Sequence, residues 1–221
     1  MTIPHLNTDN VQAYRLIDHV SASLDQYPAQ QIINSPWAAD EAAVQASFSL
    51  AYNDDYLFLK YYVTEQSISA KYNKLNDPVY KDSCVEFFIA FDNDTRYYNL
   101  EFNCAGNCLA QYGEGKTDRV FISGAILKSI NHQAQLKTNA FSGLVDWQLT
   151  LCIPKSVFCF HPGLQLSQTK ARVNVYKCGD DLPVPHYLCW NNIEATQPNF
   201  HLSGFFKEIK FNPKTTAIST Y

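Results

Sequence analysis

The fold is constrained most by the stretch 82–103, DSCVEFFIAFDNDTRYYNLEFN, in which two segments alternate in character around a polar turn. Successive residues of a β-strand point to opposite faces of the sheet. Apolar residues at every second position therefore predict two strands, and the turn at Asp92–Thr95 predicts that they pair as an antiparallel hairpin. The apolar faces comprise Val85, Phe87, Ile89 and Phe91 in the first strand and Tyr98, Leu100 and Phe102 in the second.

The register of this hairpin decides where four polar side chains lie. If both apolar faces join one core, Glu86 shares the opposite sheet face with Asn99, Glu101 and Asn103. A slip by one residue would separate Glu86 from the other three. We expect the first arrangement because it buries the two apolar faces together.

The rest of the chain contains many short strand-like segments separated by Gly, Asn, Asp or Pro. With 221 residues, 14 Tyr and 14 Phe, the chain suits one large β domain. We therefore expect a single domain over residues 1–221, folded as an all-β, antiparallel, jelly-roll-like sandwich with few short helical turns. Predicted strands are the hairpin around Asn53–Asp55 and the segments 108–113, 119–130, 145–154, 170–178, 186–190 and 205–211, with a helical turn in 154–160 and a loop at 66–81.

Charge and hydropathy exclude several classes of partner. The net charge of −4 and the absence of Lys/Arg clusters argue against nucleic acid, which requires a basic surface. No apolar run is long enough for a transmembrane helix, and the first residues lack the pattern of a secretion signal. The seven cysteines, an odd number, favour reduced thiols. These features predict a cytoplasmic protein; the alternative is an exported protein whose signal peptide has been removed.

The expected polar face of the hairpin has the chemistry of a sugar site. Sugar hydroxyls need hydrogen-bond donors and acceptors, which carboxylates and amides supply, and the C–H faces of a sugar pack on aromatic rings. Tyr80, Phe88 and Tyr97 lie close to the polar residues in sequence. The alternative is an ordinary solvated sheet face, because antiparallel sheets often face water on one side.

Several motifs resemble those of carbohydrate-binding module family nine, especially its members from gut bacteria. They are FSLAYNDDYLFLKYYVTE, YKDSCVEFFIAFDNDTRYYNLEFNCAGNCLAQYG and HYLCWNNIEATQPNFHLSGFFKEIKF, which together cover most of the chain from Phe48 to Phe211. The resemblance implies a β-sandwich that binds a mono- or oligosaccharide without cleaving it.

By motif position, the resemblance assigns ligand-binding roles to eight residues. Glu86 matches the family's strand glutamate, and Tyr80 matches one of two aromatic rings that clamp the sugar, although the family's pattern has Trp there. No residue is matched to the second ring. The other implied binding residues are Asn99, Glu101, Asn103, Trp190, Asn191 and Asn192. A buried, structural Trp190 is the alternative for that residue.

Other functions have weaker support in the sequence. Glu86 and Glu101 could serve as the acid and nucleophile of a glycoside hydrolase, the alternative to binding alone. We expect no cofactor: the only methionine is Met1, which disfavours Met/His haem ligation, and His201 lacks partner metal ligands. Calcium at Asp92, Asn93 and Asp94 is the one candidate cofactor, although turn chemistry alone explains these residues.

Overall fold

The computed structural model describes residues 1–37, 43–138 and 141–214. Thirteen strands lie within these residues and form two sheets. The strands are β1 (Thr2–Ile3), β2 (Gln30–Gln31), β3 (Gln45–Tyr52), β4 (Tyr56–Glu65), β5 (Cys84–Phe91), β6 (Tyr97–Asn103), β7 (Cys108–Gly113), β8 (Val120–Phe121), β9 (Asn131–Thr138), β10 (Val145–Pro154), β11 (Ala171–Cys178), β12 (Tyr187–Cys189) and β13 (Lys207–Phe211).

The two sheets pack face to face as an antiparallel sandwich. The larger sheet has the order β1-β13-β11-β5-β6-β7-β8, with β12 also paired to β11, and the smaller sheet has the order β2-β3-β4-β10-β9. The described strand pairs run antiparallel except for β1 with β13, which is parallel. The all-β sandwich predicted from the sequence is confirmed.

The predicted hairpin register is also confirmed. In the β5–β6 pair, Glu86 lies directly opposite Glu101, and Phe88 lies opposite Asn99. The alternate residues Val85, Phe87 and Leu100 are fully buried in the core between the sheets. The four polar side chains therefore lie together on the outer face of the larger sheet.

The described residues contain two α-helices, α1 (Leu16–Leu24) and α2 (Gly124–Leu127), and five 3-10 turns. The expected turn after Pro154 is present at Lys155–Val157. The strand predicted over 119–130 is wrong beyond β8, because Ser123 caps the N-terminus of α2 by accepting a hydrogen bond from the backbone N–H of Ile126. Helix α1 and strand β9 were not predicted. Neither described helix has the length and apolar character needed to cross a membrane.

Each outer face of the sandwich is partly covered. On the smaller sheet, Val20 and Leu24 of α1 pack against Phe58 and Cys152. On the larger sheet, the loops between β4 and β5 and between β12 and β13 contribute Val79, Ile193 and Phe200 to a second apolar cluster. These loops enclose the polar face of the hairpin instead of leaving it open to solvent.

A buried ionic network joins the two sheets at one end. Lys177 of β11 places its Nζ 2.9 Å from Oε2 of Glu65 on β4, and both side chains are buried. Trp147 donates its Nε1–H to Oε1 of Glu65 at 2.6 Å. The Lys177 ammonium also lies 2.8 Å from Nε2 of His186. Burial, and then the charge of Lys177, lowers the pKa of His186 to about 4, which keeps this imidazole neutral at pH 7.

Candidate functional site

A cavity of about 420 Å³ lies on the outer face of the larger sheet. Its floor crosses six neighbouring strands, from β8 at one side to β12 at the other. The floor residues in strand order are Phe121, Gln111, Glu101, Glu86, Cys178 and Tyr187. Because these strands are hydrogen-bonded neighbours in one sheet, the floor is held by the backbone of the fold.

Loops form the walls of the cavity. One wall contains Asn76, Pro78 and Tyr80 from the loop before β5. Lys116 comes from the β7–β8 turn, Asp180 follows β11, and the segment 198–201 lies between β12 and β13. The sheet thus supplies a rigid polar floor, and loops from distant parts of the chain close it into a cavity.

Glu101 is held in place by a chain of hydrogen bonds. Asn99 donates its Nδ2–H to Oε1 of Glu101 at 2.7 Å, and the guanidinium of Arg119 donates to Oδ1 of Asn99 at 2.8 Å. Arg119 is fixed in turn by the carbonyls of Gly113 and Tyr97. The other carboxyl oxygen of Glu101, Oε2, is buried and has no hydrogen-bond partner among the described residues. Glu101 therefore retains one acceptor without a partner at the cavity floor.

Glu86 has a different environment from Glu101. The thiol of Cys178 donates to its Oε1 with a sulfur–oxygen distance of 3.1 Å. Burial is the main cause that raises the pKa of Glu86 well above its usual range, and the neighbouring Cys178 and Glu101 raise it further. Burial therefore favours the protonated form of Glu86, which can donate a hydrogen bond from its own hydroxyl.

The other two acids of the cavity titrate near neutrality. Burial raises the pKa of Glu101 to about 7, against the opposing effects of Asn99 and Arg119. Burial and the nearby Asp181 raise the pKa of Asp180 to about 6. With Glu86 protonated, the cavity offers both donor and acceptor oxygens and carries less negative charge than three ionised carboxylates would give it.

Within the described residues, one group of potential metal ligands lies at the cavity floor. The ligand atoms of Cys84, Glu86 and Cys178 are within 4.8 Å of one another, and all three residues are buried. Burial raises the pKa of Cys84 to about 12, so its thiol is protonated at neutral pH. The proton of Cys178 is used in the hydrogen bond to Glu86. Hydrogen bonding accounts for this cluster without a metal ion.

Aromatic side chains stand at the edges of the cavity. Tyr80 and Tyr187 are half-buried, whereas Phe121 is 53% exposed, which is unusual for a phenylalanine. Phe200 lies deeper and stacks on Tyr176 with ring centroids 4.1 Å apart. Phe121 and Tyr187 are therefore candidates for the second clamp ring that the sequence motifs left unassigned.

His201 belongs to the cavity wall. Its Nδ1 lies 2.8 Å from the hydroxyl of Tyr97. Burial, with Arg119 and Lys116 nearby, lowers the pKa of His201 to about 3, so the ring is neutral at pH 7. The neutral ring of His201 is hydrogen-bonded to Tyr97 and can make an uncharged polar contact with a ligand.

The cavity brings together only part of the residue set that the family motifs implied. Tyr80, Glu86 and Glu101 line it, and Asn99 supports Glu101 from beneath. Asn103 lies on the same face but at its end, where it donates to the carbonyl of Tyr72 at 2.8 Å and holds the neighbouring loop.

The three residues after β12 lie outside the cavity. Trp190 packs against the main core and makes an edge-to-face contact with Phe48 at 5.6 Å. Asn191 donates its Nδ2–H to the carbonyl of Phe205 at 2.7 Å and thereby fixes the loop. Asn192 is exposed and does not line the cavity. Trp190 and Asn191 therefore make contacts within the fold, and Asn192 lies at the surface.

The aspartates at the β5–β6 turn are engaged in local contacts. Asp94 accepts hydrogen bonds from the hydroxyl of Tyr112 and from Arg96. Asp92 has a positive φ of 49° and accepts from the backbone N–H of Lys170 at 3.1 Å. Calcium binding at this turn stays a prediction.

Sequence reasoning missed several cavity residues because they are distant in the chain. Gln111 carried a usable signal: it alternates with the apolar residues of β7 and lies opposite Asn99. Lys116, Asp180 and Asn199 lie in loops, whose path over the sheet has no periodic signature.

A β-sandwich with a cavity of carboxyls, amides and aromatic rings on one sheet face defines a module suited to binding polyhydroxylated ligands. The chain belongs to carbohydrate-binding family 9, whose sequence profile matches residues 18–211. The family expected from the sequence motifs is confirmed.

Solved structures give the same result for the fold. The chain is 30% identical to a Bacteroides uniformis protein provisionally described as carbohydrate-binding, with a TM-score of 0.84 over 96% of this chain and 98% of that one. Family 9 modules from Caldicellulosiruptor kristjanssonii in complex with cellotriose and with glucose are each 12% identical. Their TM-scores are 0.54 and 0.56, over 96% and 99% of this chain and 93% and 98% of theirs. A search of curated proteins gives no match.

Proposed function

We propose that this chain binds a mono- or oligosaccharide in the cavity on the larger sheet and does not cleave it. The observation that carries the proposal is Oε2 of Glu101, a buried acceptor in the cavity floor that has no hydrogen-bond partner among the described residues. A buried acceptor without a partner costs stability. A sugar hydroxyl that donates to Oε2 would remove this cost.

The protonation states of the two glutamates in the cavity floor suit a ligand with hydroxyl groups. A sugar hydroxyl is both donor and acceptor, so it can donate to Glu101 and accept from the protonated Glu86 beside it. Tyr80 and Phe121 at the rim offer aromatic faces for the C–H groups of the ring. The cavity volume of about 420 Å³ is within the usual range for small-molecule sites.

The arrangement of the two glutamates supports binding over hydrolysis. A glycosidase needs its two carboxyl groups on either side of the scissile bond. Glu86 and Glu101 instead project from neighbouring strands of one floor, directly opposite each other. Both would meet a bound sugar from the same side.

Calorimetric titration tests the proposal. Glucose, cellotriose and xylotriose are suitable first probes, because the family 9 modules of C. kristjanssonii were solved with glucose and cellotriose. We expect Glu101→Gln to weaken binding roughly ten- to a hundredfold, since a hydrogen bond to a charged group contributes about 1.5–3 kcal/mol. Tyr80→Ala should also weaken binding, because it removes an aromatic face on which the sugar packs. Glu208→Gln, at an exposed position on β13, is the matched control and should bind like the wild type.

A parallel assay for released reducing sugar separates the two functions. Binding without release supports the proposal. Hydrolysis of cellotriose or xylotriose that Glu86→Gln abolishes would contradict it and establish a glycosidase.

A further inference from the structure

The outer face of the smaller sheet is covered by α1 at one end only. Under the helix, Lys60 donates to Oγ of Ser21 at 2.9 Å and to Oδ1 of Asp25 at 2.7 Å. Thr150, directly opposite Lys60 on β10, donates to the same Oγ at 3.2 Å. Lys60, Thr150 and Ser49, which lies opposite Lys60 on β3, are all buried here, so this part of the sheet face is closed to ligands.

Beyond the helix, a row of polar side chains crosses all five strands of the smaller sheet. Each member lies directly opposite the next on the neighbouring strand. From β2 to β9 the row is Gln31, Ser47, Tyr62, Gln148 and Gln135.

A second row lies two residues further along the strands, on the same face. It contains Gln45, Thr64, Asp146 and Lys137. The two rows line an open trough of about 530 Å³, which we call the outer trough. It is separate from the cavity, which belongs to the other sheet.

The amides of the outer trough are available to a ligand. The side chains of Gln31, Gln45 and Gln148 make no hydrogen bond within the described part of the chain, and Gln135 makes only one, to Gln133 at 3.3 Å. Each carboxamide can donate two hydrogen bonds and accept through its oxygen. A ligand with alternating donors and acceptors would satisfy them.

Charge narrows the class of ligand. The two rows contain one lysine and one aspartate, and Asp146 already accepts a hydrogen bond from Thr64 at 2.6 Å. The face therefore has no excess charge to attract a phosphate, a polyanion or a basic peptide. A neutral, polyhydroxylated ligand complements it.

We propose that the outer trough is a second carbohydrate site, which takes an internal segment of an extended, neutral oligosaccharide. Four inter-strand spacings of about 4.8 Å give the row a length of about 19 Å, and the row runs from one edge of the smaller sheet to the other. The half-buried ring of Tyr62 at its centre provides an apolar surface among the amides.

NMR titration with cellohexaose, xylohexaose and mannohexaose tests this proposal. At least one of them should shift the side-chain amide signals of Gln45, Gln135 and Gln148, and the corresponding monosaccharide should not. The shifts should persist in a Tyr80→Ala/Glu101→Gln variant, because the outer trough does not use the cavity.

The affinity measured from the side-chain amide shift of Gln45 should fall about tenfold in a Gln135→Ala/Gln148→Ala variant, which removes two hydrogen-bonding amides. Gln168→Ala, at an exposed glutamine far from the outer trough, should leave it unchanged. If no hexasaccharide shifts the trough amides, or if monosaccharides shift them equally, the proposal is overturned. Backbone signals of Phe121 and His201 report on the cavity separately, so a lack of binding in the cavity can be distinguished from a lack of binding in the outer trough.

Discussion

The buried acids of the cavity make the stability of the protein depend on pH. In the folded state the pKa of Glu101 is about 7, above its usual 4.5. Between these values the folded protein retains a proton that the unfolded chain has lost, so the contribution of Glu101 to stability is greatest below pH 4.5 and is lost as the pH rises through 7. Glu86, with its pKa raised by burial, acts in the same direction.

We therefore predict that Glu101→Gln stabilises the protein at pH 8.5 by roughly 1–3 kcal/mol, because the variant removes the buried negative charge. The gain should disappear near pH 4.5. Urea unfolding of both proteins across this range provides the measurement. The difference between them cancels the opposite contribution of His186, whose folded pKa is lowered to about 4. A difference that does not vary with pH would contradict the prediction.

The thiols give a second prediction for single residues. All seven cysteines are unpaired, and only Cys159 is exposed. Burial protects the other six and raises the pKa of several of them, including Cys104 and Cys189 to about 11, which keeps them in the unreactive thiol form. Ellman's reagent at pH 8 should titrate one thiol in the folded protein and seven after denaturation. Cys159→Ser should abolish the fast reaction.

The positions of individual residues could be predicted from the sequence where the residues lie in regular strands, and not where they lie in loops. Glu86 and Glu101 could be grouped because burial of one hairpin face fixes the strand register. Trp190 and Asn191 could not be placed from sequence, because their positions depend on the path of the loop after β12. The hydrogen bonding of Glu101 could not be predicted either. Arg119 orients Asn99, and through it Glu101, but Arg119 comes from the separate turn between β7 and β8.

At the scale of elements, α1 forms the cover that leaves the outer trough open beside it. Its apolar residues Leu16, Ile17, Val20 and Leu24 follow helical spacing, so this helix could have been predicted. Strand β9 could not: nearly all its residues are exposed, so it has no alternation to detect. Backbone pairing with β10 holds it in the sheet.

The packing of α1 can be tested with two equal truncations. Leu24 is fully buried, whereas Leu16 is half-buried. We expect Leu24→Ala to lower the free energy of unfolding by about 2–5 kcal/mol, as for other core leucines, and Leu16→Ala to lower it clearly less. Urea denaturation measures both. Equal losses would show that Leu24 is not the anchor of the helix.

At the scale of the whole molecule, the Glu65–Lys177 pair links the two sheets in a region closed to water. Removing one charge of a buried pair strands the other, which typically costs about 3–5 kcal/mol. We expect a loss of this size from Lys177→Met, measured by urea or thermal unfolding. The Glu65→Gln/Lys177→Met double variant should recover part of it, because no buried charge remains. A double variant that is less stable than Lys177→Met would contradict this account.

The two outer faces of the sandwich point away from each other, and this has a consequence for how the molecule behaves with long polymers. The cavity opens on the larger sheet and the outer trough on the smaller one, so a short oligosaccharide cannot reach both. A protein whose two faces hold different polysaccharide chains joins those chains. In a semidilute solution of a polysaccharide that both faces bind, the protein acts as a bifunctional cross-linker. The viscosity of the solution should rise with protein concentration until excess protein occupies each polysaccharide chain separately.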